Sequence, residues 1–168
     1  MEASAVLELY NTLTHNGISI WIDGGWGVDA LLGEQTRDHE DVDIVMQDKD
    51  VPKLRKILQE QNYKDIKRDD TSAWNFVLGD DKGHTVDVHV FTFDVDGNGI
   101  YGSRGAIFPA VSLTGSGMIN GESVQCISPE YVVKFHTGYK LDENDIKDVT
   151  ALCKRFGIDL PEEYRNIF

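Results

Sequence analysis

The sequence has few of the residues that crosslink or interrupt a chain. Its 168 residues include two cysteines, Cys126 and Cys153, and four prolines. Two cysteines provide neither a disulfide framework nor a metal-ligand spacing, so we expect a reducing, cytoplasmic environment. No apolar run approaches the ~20 residues that a membrane-spanning helix requires. The N-terminus also lacks the basic and apolar segments of a secretory signal, and we expect no such signal.

Basic residues are also scarce. The chain has 16 Lys and Arg residues against 29 Asp and Glu residues, a net charge of −13. A surface this acidic repels the phosphate backbone, so the composition argues against a nucleic-acid partner. It would attract a small cationic substrate, and it is compatible with a nucleotide whose phosphates are screened by metal ions.

The remaining composition, 40% apolar and 27% charged, is typical of one folded domain. Apolar spacing and turn residues predict an α/β (α+β) protein in which helices flank a mixed sheet and the C-terminal end is helical. Strands are predicted at residues 18–22, 42–46, 73–78 and 85–93, a type I′ hairpin around 120–121, and helices at about 6–16, 26–33, 51–63, 129–139 and 142–157.

Acidic residues recur on two of the predicted strands. Asp41 and Asp43 are two positions apart, so both carboxylates leave one face of the strand. Asp87 and His89 have the same spacing on the strand 85–93. If the two strands are neighbours, three carboxylates and an imidazole converge. Carboxylate oxygens suit Mg²⁺, and three acids could hold two metal ions for a phosphoryl-type displacement.

A glycine pair precedes these strands. Gly24 and Gly25 lie between a predicted strand and a predicted helix, where free backbone N–H groups can hold a triphosphate. Arg37 could contact the same anion, and Trp26 could border a ligand. Taken singly, a Gly-Gly pair is usually a plain turn and an Asp-x-Asp strand a solvated face. The order of glycine pair, acid pair and third acid outweighs these alternatives.

This order resembles the nucleotidyltransferase fold of the polymerase-β superfamily. The segment WIDGGWGVDALLGEQTRDHEDVDI is similar to the lincosamide nucleotidyltransferases. The related aminoglycoside nucleotidyltransferases share its GGW, Asp29 and R-x-H-x-D-x-D features. The resemblance continues through CIS…FHTGY and LDENDIK, and residues 94–117 match little. It implies residues 1–95 as the catalytic core and residues 96–168 as a loop-rich, helical part that completes the acceptor pocket.

The resemblance implies that a nucleoside monophosphate, AMP from ATP, is transferred to a hydroxyl of a small antibiotic. A lincosamide is the first expectation and an aminoglycoside the alternative; a non-catalytic, antitoxin-type binding protein is a third. The implied roles are metal ligation and catalysis by Asp41, Asp43 and Asp87, nucleotide binding by Gly24, Gly25, Arg37 and His39, and acceptor binding by Trp26, His89 and Lys147. The expected cofactors are two Mg²⁺ ions, with the nucleoside triphosphate as co-substrate. A homodimer would enclose the antibiotic more fully.

Overall fold

A mixed sheet runs through the described residues, which are 1–103, 105–165 and 167 of a computed structural model. Its strands are β1 (Ile20–Asp23), β2 (Asp41–Gln47), β3 (Lys64–Ile66), β4 (Asn75–Gly79), β5 (Thr85–Phe93), β6 (Gly99–Tyr101), β7 (Ala106–Phe108), β8 (Gly115–Ile119) and β9 (Glu122–Cys126). The strand order is β3-β4-β5-β2-β1-β9-β8, and the β6–β7 hairpin pairs with the end of β5. The pairs β2–β5 and β1–β9 are parallel and the others antiparallel, so the predicted mixed α/β class is confirmed.

Six helices accompany the sheet in the described part of the chain. They are α1 (Ala3–His15), α2 (Gly24–Leu32), α3 (Val51–Glu60), α4 (Pro129–Phe135), α5 (Glu143–Phe156) and α6 (Glu162–Arg165). The central helix is α2, which follows β1 without a loop and contacts β8, α4 and α5. Among the described residues, no helix combines the length and the apolar character needed to span a bilayer.

Several predicted elements have the expected physical basis. In the β8–β9 hairpin, Asn120 and Gly121 have φ values of 47° and 82°, the left-handed conformations of a type I′ turn. Helix α5 begins with a capping box between Asp142 and Asp145, and it ends at Gly157 in the left-handed conformation. Strand β5 has the predicted bounds, 85–93.

Other elements differ from the sequence prediction. The helix predicted to reach Tyr139 ends at Phe135, and the carbonyl oxygen of the next residue, His136, accepts a hydrogen bond from Tyr164 Oη. Strand β3 was not predicted, because its residues Lys64–Ile66 are exposed and show no apolar alternation. The glycine-rich stretch after residue 94 contains the two short strands β6 and β7.

The two central parallel strands are buried unequally on their two faces. Val42 and Ile44 of β2 and Val86 and Val88 of β5 are fully buried on the core face. The residues between them are only partly buried, so the opposite face is open at the first half of both strands. This opening lies beside the start of α2, since β1 runs antiparallel to β2 and delivers the chain to Gly24 there.

Candidate active site

Five polar side chains share the open face of the sheet, and we call this group the acid face. It consists of Asp23 on β1, Asp41 and Asp43 on β2, and Asp87 and His89 on β5. Asp43 is the direct partner of Asp87 in the parallel pairing and of Asp23 in the antiparallel pairing. Directly opposed residues of neighbouring strands point to the same face, so the register brings the acids together.

Three of these side chains are close enough to share one ion. One ligand atom each from Asp43, Asp87 and His89 lies within 4.8 Å of the others. His89 Nε2 is 3.6 Å from Asp43 Oδ1 and 3.7 Å from Asp87 Oδ1. Asp87 Oδ1 is buried and has no hydrogen-bond partner among the described residues. Two carboxylates, one of them with an unpartnered buried oxygen, and an imidazole fit a divalent cation. Asp41 lies outside this closest group.

Burial and neighbouring charges shift the pKa of four groups of the acid face. Burial, and then the charge of Asp43, raise the pKa of Asp23 and of Asp41. Burial raises the pKa of Asp87; the charge of His89 lowers it and that of Asp43 raises it again. Burial lowers the pKa of His89, but its close contact with Asp43 and the charges of Asp87, Asp43 and Asp23 raise it overall. The site therefore carries like-charge repulsion that a bound cation would relieve.

A cation from outside the sheet also contacts this face. Arg68 lies in the exposed segment between β3 and β4, and its Nη1 donates to Asp87 Oδ2 at 2.8 Å. Sequence reasoning missed Arg68 because an arginine among exposed charged residues has no distinguishing pattern. It also missed Asp23, whose place before the glycine pair was a usable signal.

The glycine pair is the first turn of α2 rather than a free turn, and each glycine accommodates one set of side chains. Gly24 has φ +56°, and a Cβ there would clash with the Asp43 carboxylate. A Cβ on Gly25 would lie 2.5 Å from His39 Nδ1 and 2.6 Å from Arg37 Nη2. Only glycine permits these approaches, so the helix N-terminus with its free N–H groups lies directly beside the acids.

A second polar group lies on the Gly25 side, and we call it the anchor cluster. It consists of Trp26, Asp29, Arg37, His39 and Asp148. His39 is 7% exposed, its Nε2 bonds to Asp29 Oδ2, and its ring lies 4.8 Å from that of Trp26. Asp29 Oδ1 also accepts from the backbone N–H and the hydroxyl of Thr36, at 3.1 and 2.6 Å. The nucleotide role of His39 and the acceptor role of Trp26, which is 2% exposed, stay predictions.

Arg37 joins the start of α2 to the C-terminal helix α5. Its Nη2 donates to Asp148 Oδ2 at 3.0 Å, and the Asp148 side chain is 7% exposed. Asp148 was missed, although its spacing of four residues from the buried Leu152 placed an acid on the packed face of the helix. Lys147, the neighbouring residue, is exposed and forms only a 3.9 Å contact with Glu143, so its acceptor role also stays a prediction.

An apolar cleft of about 350 Å³ adjoins the acid face. Its lining consists of Asp23, His89, Tyr101, Ala106, Ile107, Phe108 and Phe135. The rings of Tyr101 and Phe108 lie 5.7 Å apart, and those of Phe108 and Phe135 lie 5.3 Å apart. His89 Nδ1 is 3.3 Å from Tyr101 Oη. The segment 94–117, which lies largely in the part expected to complete the acceptor pocket, supplies Tyr101, Ala106, Ile107 and Phe108 to a hydrophobic wall beside the acids.

Solved structures with the same fold identify the class of protein. The chain superposes on the lincosamide antibiotic adenylyltransferase LnuA, solved with lincomycin bound, with a TM-score of 0.79 and 26% identity over 90% of this chain and 96% of that one. It matches ANT(2″)-Ia, solved with adenylyl-2″-tobramycin, with a TM-score of 0.75 over 98% of this chain and 95% of that one; at 20% identity this match shows the fold alone. Together with the acid face and the glycine-led helix, the fold defines a nucleotidyltransferase.

Sequence comparisons identify the family. The model of the family described as aminoglycoside-2″-adenylyltransferase matches residues 5–152. A lincosamide resistance protein of Staphylococcus haemolyticus is 30% identical over 158 residues, which cover 88% of this chain and 89% of that protein. The chain belongs to the aminoglycoside-2″-adenylyltransferase family, and the resemblance to antibiotic nucleotidyltransferases is confirmed.

Proposed function

We propose that this enzyme transfers AMP from ATP to a hydroxyl of a lincosamide antibiotic, with Mg²⁺ as cofactor and pyrophosphate as the second product, and that it thereby confers antibiotic resistance. One observation carries the proposal. Asp43 and Asp87 are paired in register directly beside the helix start at Gly24. A cation held by the acids and the free N–H groups of α2 would therefore meet the same triphosphate.

We assign the metal to Asp43 and Asp87, with His89 at its edge and Asp41 available for a second ion. Bound Mg²⁺ would neutralise the phosphate charge that develops during the transfer. The unpartnered Asp87 Oδ1 faces this site and supports the assignment. Arg37, beside Gly25, supplies a positive charge at the helix start, where we place the β- and γ-phosphates.

The reaction that we propose is an in-line displacement at the α-phosphorus. The acceptor hydroxyl oxygen forms a bond to this phosphorus, and the bond from phosphorus to the bridging oxygen of pyrophosphate breaks. The hydroxyl proton passes to the carboxylate of Asp87, which we assign both as a metal ligand and as the base. Base catalysis of this kind typically contributes 10²–10⁴-fold.

The apolar cleft supports a lincosamide as the acceptor. Its wall is built from Ile107, Phe108 and Phe135, and its polar groups, Asp23 and His89, lie at the edge nearest the acids. Such a lining suits an amphipathic molecule with an apolar part and a hydroxylated sugar. The net charge of −13 would favour a polycationic aminoglycoside, but the cleft has few polar groups to bind its many hydroxyls and amines.

We further propose the division of labour implied by the cleft. Residues 1–95 supply the catalytic core, and residues 96–168 complete the acceptor pocket through Tyr101, Phe108 and Phe135.

A 168-residue chain encloses a drug poorly, so we propose a homodimer. Light scattering should give twice the chain mass; a monomer with undiminished specific activity on dilution would contradict the dimer. We place the reaction in the cytoplasm, where nucleoside triphosphates are available.

Mass spectrometry tests the function. The purified protein is incubated with Mg²⁺, mixed nucleoside triphosphates and a panel of lincosamides and aminoglycosides. We expect a lincosamide adduct heavier by one AMP. Asp41→Asn and Asp87→Asn should abolish it, and Asp81→Asn, which removes an exposed acid from a turn, should leave it unchanged. Adducts on aminoglycosides alone would overturn the acceptor assignment. No adduct with any drug would favour the non-catalytic binding protein.

A further inference from the structure

Arg68 reaches the acid face from an otherwise exposed segment. It lies 19 residues before Asp87 in the chain, and its guanidinium donates to Asp87 Oδ2 at 2.8 Å. The segment is shaped locally at Arg68, whose backbone N–H donates to Thr71 Oγ1 at 2.8 Å and whose carbonyl accepts from the Thr71 N–H at 3.2 Å. The backbone of Arg68 is thus held by its own turn while its side chain extends to the sheet.

The two oxygens of Asp87 have different environments. Oδ2 is bound by Arg68, whereas Oδ1 is buried, has no hydrogen-bond partner among the described residues and lies 3.7 Å from His89 Nε2. The Asp87 side chain is 13% exposed, so it has little freedom to be held by water instead. A carboxylate fixed at one oxygen in this way presents the other in one direction only.

We propose that Arg68 is a positioning residue, which holds Asp87 Oδ2 so that Oδ1 is directed at the ion and the acceptor hydroxyl. This inference rests on the proposed function, since it gives Arg68 a role only if the acid face holds a metal. Hydrogen-bond partners of metal-ligating carboxylates typically change metal affinity or activity 10–100-fold when they are removed.

A merely electrostatic role would have the opposite consequence. Arg68 and a divalent ion would both be positive and would compete for the same carboxylate, so removal of the arginine would tighten metal binding. The side chain of Arg68 is 43% exposed, and a surface ion pair of this kind usually contributes little to folding. The direction of the change in metal affinity therefore separates the two roles.

The experiment measures binding of Mn²⁺ alone by electron paramagnetic resonance, and separately kcat and KM for AMP transfer. We compare the wild-type protein with Arg68→Gln, Arg68→Lys and the matched control Lys67→Gln, which removes an exposed positive charge from the adjacent position. We expect Arg68→Gln to weaken Mn²⁺ binding and to lower kcat by about tenfold or more, with the acceptor KM little changed. Arg68→Lys should recover part of both, and Lys67→Gln should match the wild type.

Tighter or unchanged Mn²⁺ binding in Arg68→Gln, or the same losses in Lys67→Gln, would overturn the proposal. Circular dichroism unfolding curves identify a variant that fails to fold, and in that case Arg68→Lys decides by the same two measurements. If the wild-type protein neither binds Mn²⁺ nor transfers AMP, the proposed function fails and the role of Arg68 fails with it. Loss of the role alone leaves wild-type binding and transfer intact.

Discussion

The acid face and the anchor cluster lie on either side of the same helix start, and their carboxylates are satisfied to different degrees. In the anchor cluster, Asp29 accepts three hydrogen bonds, and Asp148 is paired with Arg37. On the acid face, Asp87 Oδ1 has no partner in the described part of the chain, and burial and the charge of Asp43 raise the pKa of Asp41 and of Asp87. Buried carboxylates with partners stabilise a fold, whereas carboxylates left in mutual repulsion are available to a ligand.

Each of the two adjacent glycines makes room for side chains of one of these two groups. Gly24 makes room for Asp43 of the acid face, and Gly25 makes room for His39 and Arg37 of the anchor cluster. The helix start is therefore shared by a region that we expect to matter for turnover and a region that, apart from the phosphate-contacting Arg37, we expect to matter for stability. A variant that lowers turnover and stability equally would contradict this division.

The largest effect is expected for Asp43→Asn. Asp43 is at the centre of the acid face and is paired with both Asp23 and Asp87. Its replacement should therefore lower the metal-dependent turnover rate about a thousandfold, which corresponds to a rise of about 4 kcal/mol in the activation free energy. Folding stability in EDTA should be unchanged or higher, because one repelling charge is gone. Pyrophosphate release and urea unfolding measure the two quantities. Retained turnover would remove the acid face from the mechanism.

In the anchor cluster, Asp29→Ala should lower folding stability more than turnover. The buried His39 ring and the partly buried Thr36 N–H would lose their acceptor, so the free energy of unfolding should fall by about 3 kcal/mol. Urea unfolding with pyrophosphate release at a temperature where the variant is folded separates stability from activity. A loss of turnover as large as that of Asp43→Asn, in a folded protein, would make the anchor cluster catalytic.

Alanine substitutions at the two glycines test the division between the acid face and the anchor cluster, because each adds a single Cβ atom on one side of the helix start. Gly25→Ala forces a Cβ to within 2.5 Å of His39 Nδ1 and should cost about 2 kcal/mol of stability. Gly24→Ala combines a strained φ of +56° with displacement of Asp43, so it should lose activity out of proportion to its loss of stability. The ratio of lost kcat to lost unfolding free energy is the measurement, and equal ratios would contradict the division.

Bound Mg²⁺ should stabilise the protein through the acid face alone. At a Mg²⁺ concentration about five times its dissociation constant, the free energy of unfolding should rise by about 1 kcal/mol. Thermal unfolding with Mg²⁺ and with EDTA measures this rise. It should disappear in Asp43→Asn and persist in Asp81→Asn. A rise that survives Asp43→Asn would place the ion elsewhere.

The smallest effect is expected from pH, in EDTA. Folding raises the pKa of Asp41 and Asp87 above 3.8, so the folded state binds their protons more tightly and stability falls as pH rises through this window. His89, raised above 6.5, loses its contribution as pH rises further. Both contributions lower the unfolding free energy with rising pH, and solvent screening keeps them small. Asp43→Asn should flatten the slope of urea-derived stability against pH; an unchanged slope would show that the acids do not interact.

Much of the site could be predicted from the sequence alone, because the patterns that indicate its residues are local. The two-residue spacing of Asp41 and Asp43 follows from the period of a strand, and the glycine pair precedes the helix in sequence. No local pattern predicted the contributions of Arg68, Asp148 and Phe135. Each reaches the site from a separate element through a contact distant in sequence, and no periodic pattern encodes such a contact.

The class of fold, the order of glycine pair and acids, and the family could all be predicted from the sequence. Tertiary structure alone decided that Asp23 joins the acid face, that His39 is buried against Trp26, and that the segment 94–117 walls a cleft beside the acids. Strand register and helix packing set these relations, since alternation specifies which residues share a face but not which strand lies next to it.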